Sequence, residues 1–159
     1  MKKKVWIFNH YATDTMLDHG GRHYWFAKYL TRAGYDVRIF CASTVHDTDI
    51  NFDVGESGYC EKMVDGLKYT LIQTSNYVGN GKSRVKNMYQ FYRRIFRVVR
   101  NYEKPDVIFA SSVHPLTLLA GIKIAKKLGV KCICEVRDIW PESLVEYDII
   151  PRNHILTKL

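Results

Sequence analysis

Residues 135–143, with the sequence EVRDIWPES, bring carboxylates, a guanidinium, an indole and a proline together within nine positions. They overlap the end of an apolar, β-branched run at residues 130–136, which predicts a buried strand. In open α/β sheets, ligands bind in the crevice outside the carboxyl ends of the strands. We therefore expect Arg137 and Asp138 to lie in such a crevice. In the alternative interpretation, Asp138 caps a helix and Arg137 pairs with it.

A glycine pair follows another predicted strand. The strand spans residues 4–8, and the polar loop at residues 9–21 ends in Gly20 and Gly21, just before a predicted helix. Glycine lets the backbone approach a ligand closely, and the amides at a helix N-terminus attract phosphate. The pair therefore indicates an anion-binding turn, although a plain turn has the same sequence signature.

A histidine is the third candidate residue that follows a predicted strand. His114 lies in the loop that follows the predicted strand at residues 107–110. A lone histidine is more often structural than functional. Because ligands bind outside the carboxyl ends of the strands in such sheets, we expect His114, the glycine pair and Arg137 to lie at the same sheet edge.

The elements that position these residues predict the fold class. At 159 residues, the chain fits one domain. Strands and helices alternate, and Asp65-Gly66 is a turn signal that predicts a β-hairpin. We predict an α/β fold: a Rossmann-like, mostly parallel sheet of about five strands, with helices on both faces and a β-hairpin insertion. Strands are predicted at residues 4–8, 36–42, 59–64, 67–73, 107–110 and 130–136, and helices at 22–33, 83–102 and 116–128.

The net charge of +8 predicts an anionic partner, which could be a nucleic acid, a phosphorylated substrate or an anionic membrane surface. A stripe of cations shares one side of the predicted helix at residues 83–102, where Ser83 is the expected N-cap. This stripe could contact a membrane or be an ordinary solvated face. Its members are Lys86, Arg93, Arg97 and Arg100, beside an expected apolar side of Val85, Met88, Tyr92, Ile95, Phe96 and Val99.

Cysteine spacing argues against a metal centre. Cys41, Cys60, Cys132 and Cys134 do not form the paired spacing of zinc sites, so we expect no metal and a reducing compartment. No apolar run approaches the ~20 residues of a membrane span, so membrane contact is expected to be peripheral. The sequence also lacks RNP, zinc-finger and recognition-helix motifs, which disfavours a nucleic-acid partner.

Four stretches resemble a known family. They read GGRH at residues 20–23, LTRAGYDVRI at 30–39, PDVI with SVHP at 105–115, and VRDIWPES at 136–143. The chain resembles the N-terminal, acceptor domain of a retaining glycosyltransferase of family 4 with GT-B architecture. Within that family it is most similar to enzymes of bacterial capsule and O-antigen assembly that include N-acetylfucosaminyl transferases.

The resemblance implies an activity and a location. Such an enzyme moves a sugar from a nucleotide-sugar donor to a lipid-linked saccharide acceptor during surface polysaccharide biosynthesis. It works in the cytoplasm, peripheral to the inner face of the cell membrane, which favours membrane contact for the cationic stripe. No cofactor is implied, and the donor, expected to be UDP-linked, is bound mainly by a C-terminal domain.

The resemblance also implies roles for individual residues. The glycine loop approaches the donor diphosphate, His114 contacts the transferred sugar, and Asp138 is a candidate base for the acceptor. The anomeric configuration is retained, and stabilising the departing phosphate matters more than a protein nucleophile. The implied catalytic residues are His114 and Asp138, and the implied substrate-binding residues are Gly20, Gly21, Arg22, Arg137 and Glu142.

The chain is shorter than the enzymes it resembles. We therefore expect residues 1–159 to be an incomplete N-terminal acceptor-binding domain that lacks the C-terminal nucleotide-sugar domain and is inactive alone. One alternative is the acceptor subunit of a split glycosyltransferase, with a second chain carrying the donor domain. Another is a non-catalytic basic module that binds membrane or nucleic acid. A dinucleotide-dependent oxidoreductase is disfavoured because the G-x-G-x-x-G fingerprint is missing.

Overall fold

The computed structural model describes residues 2–79, 81–137, 145–146 and 151–152. The strands are β1 (Lys4–Phe8), β2 (Asp36–Ala42), β3 (Tyr59–Val64), β4 (Leu67–Ile72), β5 (Val107–Ser111) and β6 (Lys131–Glu135). The helices are α1 (Ala12–Leu17), α2 (Arg22–Arg32), α3 (Lys82–Val98) and α4 (Pro115–Leu128), and a 3-10 turn at Val99–Asn101 extends α3.

The strands form one sheet in the order β3-β4-β2-β1-β5-β6. All neighbouring strands run parallel except β3 and β4, which are antiparallel. Asp65 and Gly66 join that pair with φ angles of 49° and 78°, as the predicted hairpin turn requires. The predicted α/β class, mostly parallel sheet and hairpin are therefore confirmed, with six strands instead of about five.

Side-chain alternation along β1 divides the core between the two faces of the sheet. Val5 and Ile7 pack with α1 and α2 on one face, whereas Trp6 and Phe8 pack with α3 and α4 on the other. β1 is buried from its second residue onward because it lies in the middle of the sheet with helices on both sides. The prediction of helices on both faces is confirmed.

Three predictions about helices are wrong in detail. The loop predicted at residues 9–21 contains α1, which packs beneath the N-terminus of α2. Helix α3 begins one residue before Ser83, with Gly81 at the N-cap position and no side-chain cap. The buried face of α3 is also rotated from the expected one: Val85 is 62% exposed, whereas Asn87 and Phe91 are fully buried. The rotation puts a polar amide against the sheet.

Strand β6 is less buried than the apolar run at residues 130–136 predicts, although a position near an exposed edge is expected for this strand in an incomplete domain. It lies at the edge of the sheet among the described residues, and Ile133 is 52% exposed on the face shared with α2. Cys132 and Cys134 point to the same face, as period-two alternation predicts, with their sulfur atoms 3.8 Å apart. Because the strand pairs with β5 and has no second neighbour among the described residues, its apolar side chains are not fully buried.

The turn before α2 is held in one conformation by its packing on α1. Gly21 has a φ of +81°, and a Cβ atom placed there would come within 2.7 Å of Cγ2 of Thr15. The Thr15 hydroxyl donates to the carbonyl oxygen of Ala12 in α1, which fixes the side chain. Gly20 lacks both constraints, since the nearest atom to an added Cβ is the Asp18 carbonyl oxygen at 3.5 Å.

We predict that Gly21→Ala lowers the free energy of unfolding by roughly 1–3 kcal/mol, because a side chain is strained at positive φ and meets Thr15. The matched control, Gly20→Ala, should change stability by less than about 1 kcal/mol. Urea denaturation followed by circular dichroism measures both. Equal effects of the two substitutions would contradict the packing argument.

Candidate active site

The carboxyl edge of the sheet brings together loops that are distant in sequence. The backbone N–H of Ser112, after β5, donates to the carbonyl oxygen of Glu135 at the end of β6 at 2.9 Å. The N–H of Arg137 in turn donates to Oγ of Ser112 at 3.0 Å. Arg22, directly after the glycine pair, donates from Nη1 to Oε1 of Glu135 at 2.5 Å. The glycine loop and the segments that carry His114 and Arg137 are therefore parts of one edge.

His114 is packed against a second histidine at this edge. Its Nε2 lies 2.8 Å from Nδ1 of His10, which follows β1, and the two rings meet edge to face. The other nitrogen of His10, Nε2, lies 2.6 Å from Oδ1 of Asn87 in α3. All three side chains are buried. The Nδ1 atom of His114 is also buried, and it has no hydrogen-bond partner among the described residues.

The surroundings keep both rings neutral near pH 7. Burial lowers the pKa of His114 to about 4, helped by the positive charge of Arg84. Burial also lowers the pKa of His10 well below its ordinary value, and the neighbouring His114 adds to the effect against the opposing hydrogen bond to Asn87. A neutral imidazole has one donor and one acceptor nitrogen. The pair can therefore present a lone pair to a ligand but does not carry charge.

A carboxylate network forms the second part of the site. Glu135 accepts hydrogen bonds from Ser111 Oγ at 2.6 Å, from His23 Nε2 at 2.9 Å and from Arg22. Burial opposes ionisation of Glu135, but these donors outweigh it and hold its pKa at about 2. A carboxylate so firmly ionised and so fully hydrogen bonded is a poor proton acceptor at neutral pH. Its effect is to fix the N-terminus of α2 against β5 and β6.

The orientation of His23 in this network follows from Asn9. The backbone N–H of Tyr11 donates to Oδ1 of Asn9, so the Asn9 amide nitrogen must face Nδ1 of His23, at 2.9 Å. His23 then carries its proton on Nε2 and donates it to Glu135. Burial lowers the pKa of His23, against the raising effect of the Glu135 carboxylate.

Rings from three loops cover the region next to His10. Tyr11 stacks on His46 with ring centroids 4.5 Å apart, and Nδ1 of His46 lies 2.6 Å from the hydroxyl of Tyr77. Nε of Arg84 donates to the hydroxyl of Tyr11 at 3.2 Å. Tyr11 and Tyr77 are almost completely buried. These contacts join the loops after β1, β2 and β4 to the start of α3.

The structure thus gathers part of the predicted site. Gly20, Gly21, Arg22, His114 and Arg137 all belong to segments at the carboxyl edge. Asp138 and Glu142 lie outside the described residues. Within the described parts of the chain, no cluster of three or more His, Cys, Asp or Glu side chains is arranged to hold a metal ion.

Sequence reasoning missed several side chains that shape the site. His10 follows β1 just as His114 follows β5, so the strand-exit rule that selected His114 would also have selected His10. Asn87 could have been recognised as a polar residue one turn before the buried Phe91 on the same helix face. Glu135 and His23 lie within the stretches EVRDIWPES and GGRH, but their pairing has no local signal, because the two residues are more than one hundred positions apart in the sequence.

The cationic stripe lies apart from these networks. Lys86, Arg93, Arg97 and Arg100 are exposed, and none of them pairs with a carboxylate in the portion of the chain that is described. Arg100 belongs to the 3-10 turn after α3 and not to the helix itself. Val85 and Tyr89 are exposed apolar side chains near Lys86. No helix among the described residues is both long and apolar enough to span a membrane.

Comparisons with known proteins agree with this architecture. The family model described as Glycosyltransferase Family 4 matches residues 24–158. None of the curated proteins matches the sequence. Among solved structures, the C-terminal domain of a hydrogenase from Pyrococcus furiosus has a TM-score of 0.50 and 18% sequence identity, covering 85% of this chain and 94% of that one. At that identity the likeness concerns the fold alone.

We predict that stability decreases as the pH falls from about 6.5 towards 4. The unfolded chain takes up a proton at each histidine near pH 6.5, roughly the ordinary pKa, whereas the lowered pKa values keep buried His10, His23 and His114 neutral in the folded chain. The stability that these neutral rings provide is complete above the unfolded pKa and is lost on acidification. For His114, with its pKa of about 4, the loss amounts to roughly 3 kcal/mol.

Urea unfolding at a series of pH values between 7 and 5 measures this effect. His114→Gln should reduce the slope of unfolding free energy against pH by up to about 1.4 kcal/mol per unit. The control Lys131→Gln, at an exposed cation, should keep the slope of the parent. If the free energy of unfolding of the parent protein is constant between pH 7 and 5, the conclusion that the buried histidines are neutral is contradicted.

Proposed function

The chain belongs to glycosyltransferase family 4, and we propose that it takes part in transferring a sugar from a nucleotide-sugar donor to a lipid-linked saccharide acceptor. The proposed setting is the assembly of a surface polysaccharide at the cytoplasmic face of the membrane. The observation that carries the proposal is the buried Nδ1 of His114, which has no hydrogen-bond partner among the described residues, at the carboxyl edge of a family 4 domain. A buried acceptor without a donor is unfavourable, and a ligand hydroxyl would remove that penalty.

In the proposed complex, a hydroxyl of the transferred sugar donates to His114 Nδ1. The neutrality of His114 suits this contact, since its pKa of about 4 leaves the lone pair available at neutral pH. The contact orients the sugar for attack at the anomeric carbon, with retention of configuration. It positions the sugar and does not supply a nucleophile.

The departing diphosphate is proposed to approach the turn at Gly20 and Gly21. This assignment is supported by the position of the turn directly before the eleven-residue helix α2, whose N-terminal amides favour an anion. Arg22 adds a guanidinium that Glu135 holds through Nη1. Stabilising the negative charge that develops on the leaving phosphate is the main catalytic requirement of such a transfer. A UDP-linked donor would be held chiefly by a second, nucleotide-sugar domain.

The acceptor is proposed to bind on the β6 side of the same edge. Arg137 is exposed there, and its backbone is anchored to Ser112. Its charge suits the diphosphate of a lipid-linked saccharide. Asp138 would receive the proton of the attacking hydroxyl, and Glu142 would contact the acceptor saccharide. Both roles follow from the family resemblance of the VRDIWPES stretch.

A lipid-linked acceptor requires the protein to work at a membrane surface. We assign this contact to Lys86, Arg93, Arg97 and Arg100, whose exposed charges attract anionic headgroups. The exposed side chains of Val85 and Tyr89 would enter the interfacial region beside Lys86. The proposal makes the protein peripheral to the membrane and does not involve a nucleic-acid partner.

We predict that sugar transfer depends on this chain and on His114. Membranes from source cells that lack the gene, supplied with labelled UDP-N-acetylhexosamines, should incorporate little label into lipid-linked saccharide. The parent gene in trans should restore incorporation, and His114→Ala and Arg137→Ala should reduce it at least tenfold, or about 1.4 kcal/mol in activation free energy. Lys131→Ala, an exposed cation at the start of β6, serves as the control and should restore it fully.

Two outcomes would contradict the proposed function. One is unchanged incorporation in membranes that lack the gene. The other is full restoration by His114→Ala at a protein level equal to that of the parent. Immunoblotting of the membranes sets the protein level for each variant.

We predict salt-sensitive binding of the purified chain to vesicles that contain anionic phospholipid. Replacing Lys86, Arg93, Arg97 and Arg100 together by alanine should weaken binding by roughly ten- to a thousandfold, because each cation near the surface contributes about 1 kcal/mol. A matched variant replaces Lys104, Lys126, Lys127 and Lys131, which are also exposed, and so lowers the net charge by the same amount. Vesicle sedimentation should separate the two variants. If both variants lose vesicle binding equally, binding depends only on the total charge, and the assignment of the membrane contact to Lys86, Arg93, Arg97 and Arg100 is contradicted.

A further inference from the structure

A series of buried hydrogen bonds connects the loop after β4 to His114. It begins at the Ser75 carbonyl oxygen in the loop after β4, passes through Asn87 in α3 and His10 after β1, and ends at His114 after β5. The steps measure 2.7, 2.6 and 2.8 Å. The side chains of Asn87 and His10 are fully buried.

The direction of every donor in this chain follows from its first step. A backbone carbonyl oxygen can only accept, so the Asn87 atom facing Ser75 must be the amide nitrogen. The same nitrogen donates to Oγ1 of Thr44 at 3.0 Å. The Asn87 oxygen therefore faces His10, and His10 must carry its proton on Nε2 to donate to it. A flipped amide would place two carbonyl oxygens 2.7 Å apart.

The second half of the chain transmits this direction to His114. With its proton on Nε2, neutral His10 has a lone pair on Nδ1, so His114 must donate from its own Nε2. Thr117 Oγ1 also lies on the Nε2 side of His114, at 3.5 Å. The remaining nitrogen, Nδ1, then carries a lone pair, and it is the atom without a partner among the described residues.

We propose that Asn87 and His10 are positioning residues that hold His114 in the tautomer protonated on Nε2, so that its Nδ1 accepts a hydrogen bond from a ligand hydroxyl and rejects an anionic oxygen. The identity of the ligand as the transferred sugar rests on the proposed function, whereas the tautomer rests on the hydrogen-bond geometry. A phosphate or carboxylate oxygen at Nδ1 would face a lone pair and remain unpaired in a buried position. This relay of hydrogen bonds from Ser75 to His114 therefore makes Nδ1 a site for the sugar of a donor molecule and not for its diphosphate.

The low pKa of His114, about 4, supports the same reading. A protonated ring would donate from both nitrogens and attract phosphate. Neutrality alone does not choose between the two tautomers, and the choice needs a fixed acceptor at the far end. The Ser75 carbonyl supplies that fixed point through Asn87.

The tautomer can be measured directly in the parent protein. Long-range proton–nitrogen correlation spectra of chain labelled with 15N in histidine distinguish protonated from unprotonated ring nitrogens. The His114 and His10 signals are assigned from the spectra of His114→Gln and His10→Gln. At pH 7 both residues should show a protonated Nε2 and an unprotonated Nδ1. A proton on Nδ1 of His114, or a doubly protonated ring, would overturn the proposal without any assay of activity.

A matched pair of variants tests whether Asn87 sets the tautomer. Asn87→Leu removes the acceptor for His10, so a substantial fraction of His114, half or more, should gain a proton on Nδ1. Gln90→Leu cuts a neighbouring link between the same helix and the same loop, because Gln90 Oε1 accepts from the backbone N–H of Ser75 at 2.7 Å. It leaves His10 untouched and should keep the parent tautomer. Equal changes in both variants would indicate a general structural effect and overturn the positioning role.

Ligand titration separates this proposal from the proposed function. Free N-acetylglucosamine at high millimolar concentration, which does not need the nucleotide-sugar domain, should shift the His114 Nδ1 signal, whereas inorganic phosphate at the same concentration should not. A shift produced equally by inorganic phosphate would overturn the selection of a hydroxyl. The expected tautomer together with unchanged sugar transfer in membranes that lack the gene would contradict the proposed function and leave the relay intact.

Discussion

The hydrogen bonds that buried polar groups require at the carboxyl edge determine how the loops of this domain are arranged. Glu135 at the end of β6 accepts from Arg22 and His23 of α2 and from Ser111 of β5. An ionised carboxylate with its oxygens engaged in this way ties three elements into one unit, since loss of any donor leaves charge partly uncompensated. The glycine turn and the loop that carries His114 take their relative positions from this contact.

A second network uses neutral groups to the same end. His10 and His114 share a hydrogen bond, and Asn87 connects them to the loop after β4. Both networks start from adjacent residues, because Asn9 orients His23 and His10 contacts His114. The short segment after β1 therefore links the charged half of the site to the uncharged half. In a low dielectric, such fully directed networks favour one arrangement of protons over the alternatives.

In the proposed function, the two halves bind different parts of a nucleotide-sugar. The glycine turn and Arg22 form the cationic side that would bind the diphosphate, and the neutral histidine pair forms the side that would accept a sugar hydroxyl. The exposed cations along α3 lie outside both networks and are available to a surface. In the proposed activity, the carboxyl edge of the sheet binds the reacting groups, and the exposed face of α3 contacts the membrane that carries the acceptor.

The sequence alone determined the alternation of strands and helices, the Asp65-Gly66 hairpin, the placement of His114 after a strand and the placement of the glycine pair directly before α2. These are local properties, set by hydrophobic period, turn chemistry and the residues that follow each strand. It misjudged α1 and the buried face of α3, which depend on what packs against each element. Only the tertiary structure paired Glu135 with α2 and His10 with His114. Those partners lie more than one hundred residues apart, and their burial, tautomers and low pKa values exist only once the sheet has brought them together.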